Sequence, residues 1–393
     1  MTSRFRAGLG VSLYYAFLFV AMGVQIPFWP LWLSARGLGP TQIGLALAAT
    51  YFARIVATPL TGALSDRLRQ RRRPMIWLAL GATLAWAMFA AAPNLAAIIA
   101  VTLVAQGLWT GLMPLGDTLA MATAVRWAID YGRMRLWGSA TFIATSILTG
   151  VLLDRGDPSL LVWAIVGGLA ATAITCWLLE DVPPQPHLSE THKAESGSIR
   201  ELFADRAFLW FLAATGCNQI SHTIYYGFSS IHWAGAGLSS RTIGLLWAEG
   251  VVAEIVLFAF SGAVIGRLGA KGLLTMAALG GMIRWTALGL GTSLAVLIPA
   301  QILHAATFCA AHLGAMVFVQ HAIPSTMSAR AQGVYAALAC GAGPGLMALV
   351  SGDLYRSLGG AAFLVMAAVS ALALIACLNI AFDHRKMEMV KAR

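Results

Sequence analysis

The chain has 393 residues, of which 59% are hydrophobic and only 11% charged, and a formal net charge of +10. Soluble domains carry about a quarter charged residues, so this composition excludes a soluble globule and points to a polytopic helical membrane protein. The positive balance does not mark a nucleic-acid partner, because the arginines are dealt out loop by loop.

Twelve apolar spans are expected, at Ser12–Leu33, Ile43–Leu64, Met75–Ala92, Leu95–Val125, Leu136–Leu153, Leu160–Leu179, Ala207–Trp233, Ile243–Ile265, Gly272–Gly291, Leu294–Ile323, Gly333–Tyr355 and Ala361–Phe382. Most approach or exceed the roughly 20 residues that cross a bilayer as a helix. Arg4 and Arg6 precede the first, which is too long for a cleaved signal peptide and is read as span 1. The loop between spans 2 and 3 carries five arginines between Arg67 and Arg73. With the N-terminus in the cytoplasm, twenty lysines and arginines fall on the cytoplasmic side and four (Arg36, Arg155, Arg241 and Arg356) on the other. The positive-inside rule then puts both termini in the cytoplasm. Glu180 to Arg206 is the one long polar stretch, with three prolines, and reads as a linker with a short surface helix near Ile199–Phe203. The domains expected are a six-helix half over 1–180, a cytoplasmic linker over 181–206 and a second six-helix half over 207–393.

The five cysteines lie singly inside apolar runs without metal spacing and read as small hydrophobes. Ionisable groups inside spans are costly and are functional candidates by default. They are Arg54 in span 2, Asp117 in span 4, Glu249 and Glu254 in span 8, Arg284 in span 9, His222 in span 7, and His304 and His312 in span 10. Glu254 lies twelve residues before Gly266, where the basic loop after span 8 begins, and Arg284 twelve after Gly272, about 18 Å deep at the α-helical rise. They could meet as a structural ion pair between neighbouring spans, or Arg284 could tune Glu254 to take up and release a proton. Glu249, beside Trp247, reads as a solvated rim group. Arg54 and Asp117 lie at similar depth in one half and could pair or touch substrate. Asn218, His222, Tyr225 and Ser229 form a polar stripe expected to line a water-filled cavity. His304 and His312 could share a broad face with Gln301 and Phe308; no cysteine or carboxylate shares their spacing, so neither a metal nor another cofactor is expected. Gly341, Gly343, Pro344 and Gly345 in span 11, with Pro27 and Pro30 in span 1, permit bending or are static kinks.

Residues 62–73, Gly-Ala-Leu-Ser-Asp-Arg-Leu-Arg-Gln-Arg-Arg-Arg, resemble the signature loop between helices 2 and 3 of the major facilitator superfamily, with the motif's second glycine replaced by Arg69 or Gln70. A degenerate echo, Gly262 to Lys271, recurs 200 residues later with Gly266 in place of Asp66. The resemblance implies an all-α membrane protein of twelve transmembrane helices in two pseudo-symmetric six-helix halves. It also implies gating by Gly62, Asp66, Arg67 and Arg71, with the small residues Gly62, Ala63 and Ser65 admitting a neighbouring helix and Asp66 meeting its N-terminal amides or an arginine.

Asp130 to Ser139 (Asp-Tyr-Gly-Arg-Met-Arg-Leu-Trp-Gly-Ser) resembles the helix 4–5 loop of the phenylpropionate permease group, itself similar to the lactose permease and nucleoside–proton symporter branches. Further matches are Ala253-Glu254-Ile255, Ile283-Arg284-Trp285 and the segment His304 to His312. This adds Gly132, Arg133 and Arg135 to the gating set. Lactose-permease relatives place a carboxylate with the histidine on helix 10; here that helix has histidines and no acid, which favours Glu254 as proton carrier. The expected activity is import of a small organic solute with a proton by alternating access, through a monomer in a bacterial-type inner membrane. For an aromatic carboxylate such as 3-phenylpropionate, Arg54 or a histidine would meet the carboxylate while Tyr225, Tyr226 or Phe308 pack the ring. The alternatives are a sugar or nucleoside symporter, a drug–proton antiporter, or a membrane sensor on a transporter fold. An enzyme is disfavoured, since the sequence shows no nucleotide loop, metal cluster or nucleophile–base pair.

Overall fold

A computed structural model describes residues 3–68, 70–181, 199–324 and 326–381, which form helices and connecting turns. Most of the linker, including Lys193, and the four basic residues of the C-terminal tail lie outside the described residues. Among the described residues, nine continuous helical stretches are long and apolar enough to cross a bilayer. The twelve expected spans are reached because one stretch, residues 328–378, holds two of them, span 6 is one helix of 17 residues, and span 7 is broken in its middle. The protein is a multi-pass, all-α membrane protein.

The chain falls into two compact units, residues 1–185 with 227–248 and residues 186–226 with 249–393. In the first, α1 (Ser3–Ala35) is the central post, packed against α5 (Leu112–Trp127), α6 (Tyr131–Leu153) and α7 (Leu160–Cys176). Close approach needs small residues here: a Cβ on Gly23 would sit 2.9 Å from the Phe142 carbonyl oxygen, and one on Gly168 2.9 Å from the Ala21 nitrogen. α2 (Pro40–Leu68) lies along α4 (Leu95–Thr110), and α3 (Arg72–Ala87) packs against α4 and α7. Trp29, Trp32, Trp86, Phe89 and Trp109 cluster at one end with ring centroids 4.5–5.9 Å apart. Such stacked and edge-on pairs add about 0.5–1.5 kcal/mol each beyond their burial. Arg71 and Arg72, at the start of α3, donate their backbone N–H groups to one carboxylate oxygen of Asp181, at 3.1 and 3.3 Å. The acid that meets a helix N-terminus at this loop is therefore Asp181, not Asp66. Glu180 beside it accepts from the Trp127 indole at 2.9 Å and faces Arg126 at 3.7 Å.

In the second unit α12 (Ser261–Leu290) is central, packed on α17 (Ala362–Leu378), on α14 (Ala311–Ala322) and on α13 (Leu294–Ile302). α9 (Arg206–Ser221) packs against α17 and against a π-helical stretch, Tyr335–Ala342. A short α8 (Ile199–Ala204) precedes α9, where the sequence suggests a surface helix. Within α12, Gly269 adopts φ 59° and ψ −173°, a conformation open essentially to glycine alone, and this is where the chain turns between spans 8 and 9. Span 7 breaks at His222 into α9 and α10 (Thr223–Gly235). A second π-helical stretch, Ala305–Ala310, interrupts span 10 directly after His304. π-turns inside α-helices recur at functional sites.

Candidate functional site

Four helical segments of the second unit converge on Arg284. This residue of α12 is wholly buried, so its guanidinium must find partners inside the protein. One terminal nitrogen lies 2.7 Å from His304 Nδ1 and donates to Thr307 Oγ1 at 3.0 Å; the other donates to Gln301 Oε1 at 3.1 Å. Its plane is covered by the rings of Tyr225 and Trp285, 4.3 and 4.7 Å from the central carbon, a favourable cation–π arrangement. The Tyr225 hydroxyl also donates to Gln301 Oε1, at 2.8 Å.

The directions of these bonds fix the chemistry of His304. A guanidinium can only donate, so Nδ1 must offer its lone pair. The ring's remaining hydrogen is then on Nε2, which stands 2.8 Å from Glu254 Oε1 on α11 (Ser240–Ala259). His304 is thus a neutral imidazole held between a cation and a carboxylate, and a second ring proton would have to displace Arg284. Access is graded: Arg284 is sealed, the His304 side chain is 8% exposed and the Glu254 side chain 17% exposed. Among the three, the carboxylate is the wet end.

This arrangement corrects the expected direct meeting of Glu254 and Arg284: the connection runs through His304, because the arginine fork is committed to span 10. The expected water-lined stripe is also corrected. Asn218, His222, Tyr225 and Ser229 are all at most 4% exposed. Asn218 donates its amide to the Thr307 carbonyl at 3.0 Å. The break after Ser221 frees the Asn218 carbonyl, which accepts from the Ser221 hydroxyl at 2.7 Å and faces His222 Nδ1 at 2.8 Å. Side chains re-satisfying a backbone group in this way are what make a broken membrane helix tolerable. His312, on α14, is exposed and lies within electrostatic reach of Glu254, without a hydrogen bond to the cluster among the described residues. Trp247 is buried, its indole donating to Ser230 Oγ at 3.0 Å, and does not mark an interface; Glu249 is half-buried.

In the first unit, Asp117 and Arg54 do not pair. One oxygen of Asp117 accepts from the phenols of Tyr15 and Tyr131. Half-buried Arg135 lies over the rings of Tyr15 and Phe19, at 5.1 and 4.2 Å, so Tyr15 touches both Arg135 and Asp117. Arg54 sits fourteen residues from either end of α2, is exposed, and makes no hydrogen bond or ion pair among the described residues. A cation at that depth cannot face lipid cheaply and belongs in an aqueous cavity. Of the signature loop, Asp66 and Arg67 are exposed, and Asp66 is without a partner among the described residues. A Cβ on Gly62 would meet nothing within 4 Å, while Ser65 is buried and donates its hydroxyl to the Gln70 carbonyl at 2.9 Å. Gly132 and Arg133 are exposed, the Arg133 N–H donating at 2.7 Å to Asp130 at the start of α6.

Comparison with known proteins adds to this geometry. The profile of the MFS_1 like family matches residues 9–367. A probable 3-phenylpropionic acid transporter of Escherichia coli K12 is 35% identical over 363 residues, 92% of this chain and 94% of that protein. A maltose permease of Geobacillus stearothermophilus is 25% identical over 346 residues, 87% of this chain and 86% of its own. Among solved structures, a point mutant of the nucleoside transporter NupG superposes with a TM-score of 0.83 at 16% identity, covering 95% of this chain and 99% of the other. A bacterial homologue of the lysosomal transporter Spinster gives 0.73 at 14% identity, covering 96% of both chains.

Proposed function

The chain belongs to the MFS_1 like family of major facilitator transporters, and we propose that within it the protein imports an aromatic carboxylate such as 3-phenylpropionate together with a proton, by alternating access. The observation that carries the proton half is the Arg284–His304–Glu254 relay. A carboxylate with partial access to water, wired through one neutral imidazole to a sealed cation, can take up and release a proton while the buried charges stay hydrogen-bonded. His304 fits the role of a connector rather than a carrier, since its second ring nitrogen is occupied by Arg284.

The cargo half is supported by Arg54 and by the 35% identical relative. An exposed, unpartnered arginine at mid-span suits bidentate capture of a carboxylate. Asp117, held by two phenols, gives the same unit an acceptor joined through Tyr15 to the ring-stacked Arg135. The signature loop and the 132–135 segment act in gating on this reading, Asp66 being available to a partner in another conformational state. The two six-helix halves are residues 1–180 and 207–393, joined by the linker 181–206. The protein is a monomer in an inner membrane with both termini cytoplasmic, as the 20-to-4 division of lysine and arginine favours. Similarity to a maltose permease supports one second reading, a sugar–proton symporter.

Uptake of labelled 3-phenylpropionate into proteoliposomes, with and without an inward proton gradient, tests the proposal. Accumulation above equilibrium only with the gradient is expected. Uptake indifferent to the gradient contradicts coupling, and no uptake beside active maltose uptake moves the protein to the second reading.

A further inference from the structure

Four buried polar atoms of the Arg284 cluster have no protein partner among the described residues: Asn218 Oδ1, His222 Nε2, Arg284 Nε and Gln301 Nε2. Their directions are fixed by what the same side chains already do. Asn218 gives its amide to the Thr307 carbonyl, so its oxygen is an unmet acceptor. His222 faces the Asn218 carbonyl with Nδ1, and a carbonyl only accepts; Nδ1 therefore carries the hydrogen and Nε2 is an unmet acceptor. Gln301 takes the Tyr225 hydroxyl and an Arg284 N–H on its oxygen, leaving its amide as an unmet donor, as is Arg284 Nε–H.

Two acceptors and two donors are the complement of one water molecule. The groups share a neighbourhood: Asn218 and Arg284 both bind Thr307, Gln301 binds Arg284, and the His222 and His304 ring centroids are 6.2 Å apart. Burial at this depth without partners is costly, and internal polar sites of this kind hold water. We propose that this cluster is a buried water site, and that His222 is a positioning residue whose Nε2 anchors the water beside the relay. His222 and His304 then hold opposite tautomers, the first accepting through Nε2 and the second through Nδ1. His222 is 1% exposed and serves the relay from inside.

The site rests on geometry alone; its part in coupling rests on the function proposed above. Two measurements separate them. In lipid nanodiscs, solid-state NMR of 15N-histidine-labelled protein, with the His222 signals assigned by their loss in His222→Asn or His222→Gln, should show a neutral Nδ1–H tautomer and magnetisation transfer from water to Nε2. A hydrogen on Nε2, or no contact with water, overturns the site. In proteoliposomes the two variants divide the ring's functions: Asn reproduces the Nδ1–H donor, while the Gln carbonyl reaches the place of Nε2. Gradient-driven accumulation should fall more than tenfold in His222→Asn and less than threefold in His222→Gln. Equal behaviour of the two overturns the positioning role. Failure of the wild type to accumulate solute with a gradient counts against the proposed function, and the NMR result then decides the water site by itself.

Discussion

At His304 each ring nitrogen has one partner of fixed polarity, and this makes the residue a connector. Arg284→Lys is therefore not conservative: an ammonium cannot serve His304, Thr307 and Gln301 at once from a fixed fork. Gradient-driven uptake by Arg284→Lys should fall at least tenfold in proteoliposomes. Arg284→Ala, which leaves buried His304 Nδ1 without its donor, should destabilise by about 1–3 kcal/mol, read as a lowered melting temperature in detergent. Arg54 predicts the opposite pattern. It is exposed and unpartnered, so Arg54→Ala should leave melting within a degree or two while raising KM for the carboxylate solute about tenfold or more, the loss of a charge-assisted pair. A matched loss of stability contradicts its assignment as an anion receptor. That Glu254 and Arg284 lie close to one another was legible from span counting, since His304 touches both. The intervening imidazole was not, because counting gives depth and angle but not the reach of a four-carbon side chain. Thr307 and Asp181 were missed for a related reason: a lone hydroxyl in an apolar run and an acid in a polar stretch carry no pattern of their own.

Elements were legible where composition alone defines them. All twelve apolar segments correspond to helix, since a hydrophobic run in lipid has few other ways to satisfy its backbone. The interruptions were not legible, at His222, at Gly269 and in the two π-helical stretches, because they are changes of hydrogen-bond register within unbroken hydrophobicity. Two of them lie at the site: the break at His222 frees the Asn218 carbonyl for the His222 ring, and the π-turn at Ala305–Ala310 follows directly on the residue that joins the relay. Gly269→Ala should cost about 1–3 kcal/mol for a side chain in a glycine-only conformation, measured as a lowered melting temperature. An unchanged melting temperature would show that the turn relaxes without strain. Asp181→Ala removes the acceptor of two amides at the start of α3 and should cost about 1 kcal/mol, as loss of a helix cap does, with transport kinetics altered less than stability.

For the whole molecule, membership of a transporter family and a relay buried within the membrane lead to one claim: solute movement is tied to the protonation of Glu254. Neutralising that carboxylate with little change of shape separates coupled from uncoupled transport. The most direct measurement compares wild type and Glu254→Gln in proteoliposomes in two modes, proton-gradient-driven accumulation and counterflow exchange of labelled for unlabelled 3-phenylpropionate. Glu254→Gln should lose accumulation by more than tenfold and retain exchange within about threefold of wild type. Retained accumulation, or equal loss of both modes in a protein that folds and inserts normally, would contradict Glu254 as the site where the proton is carried.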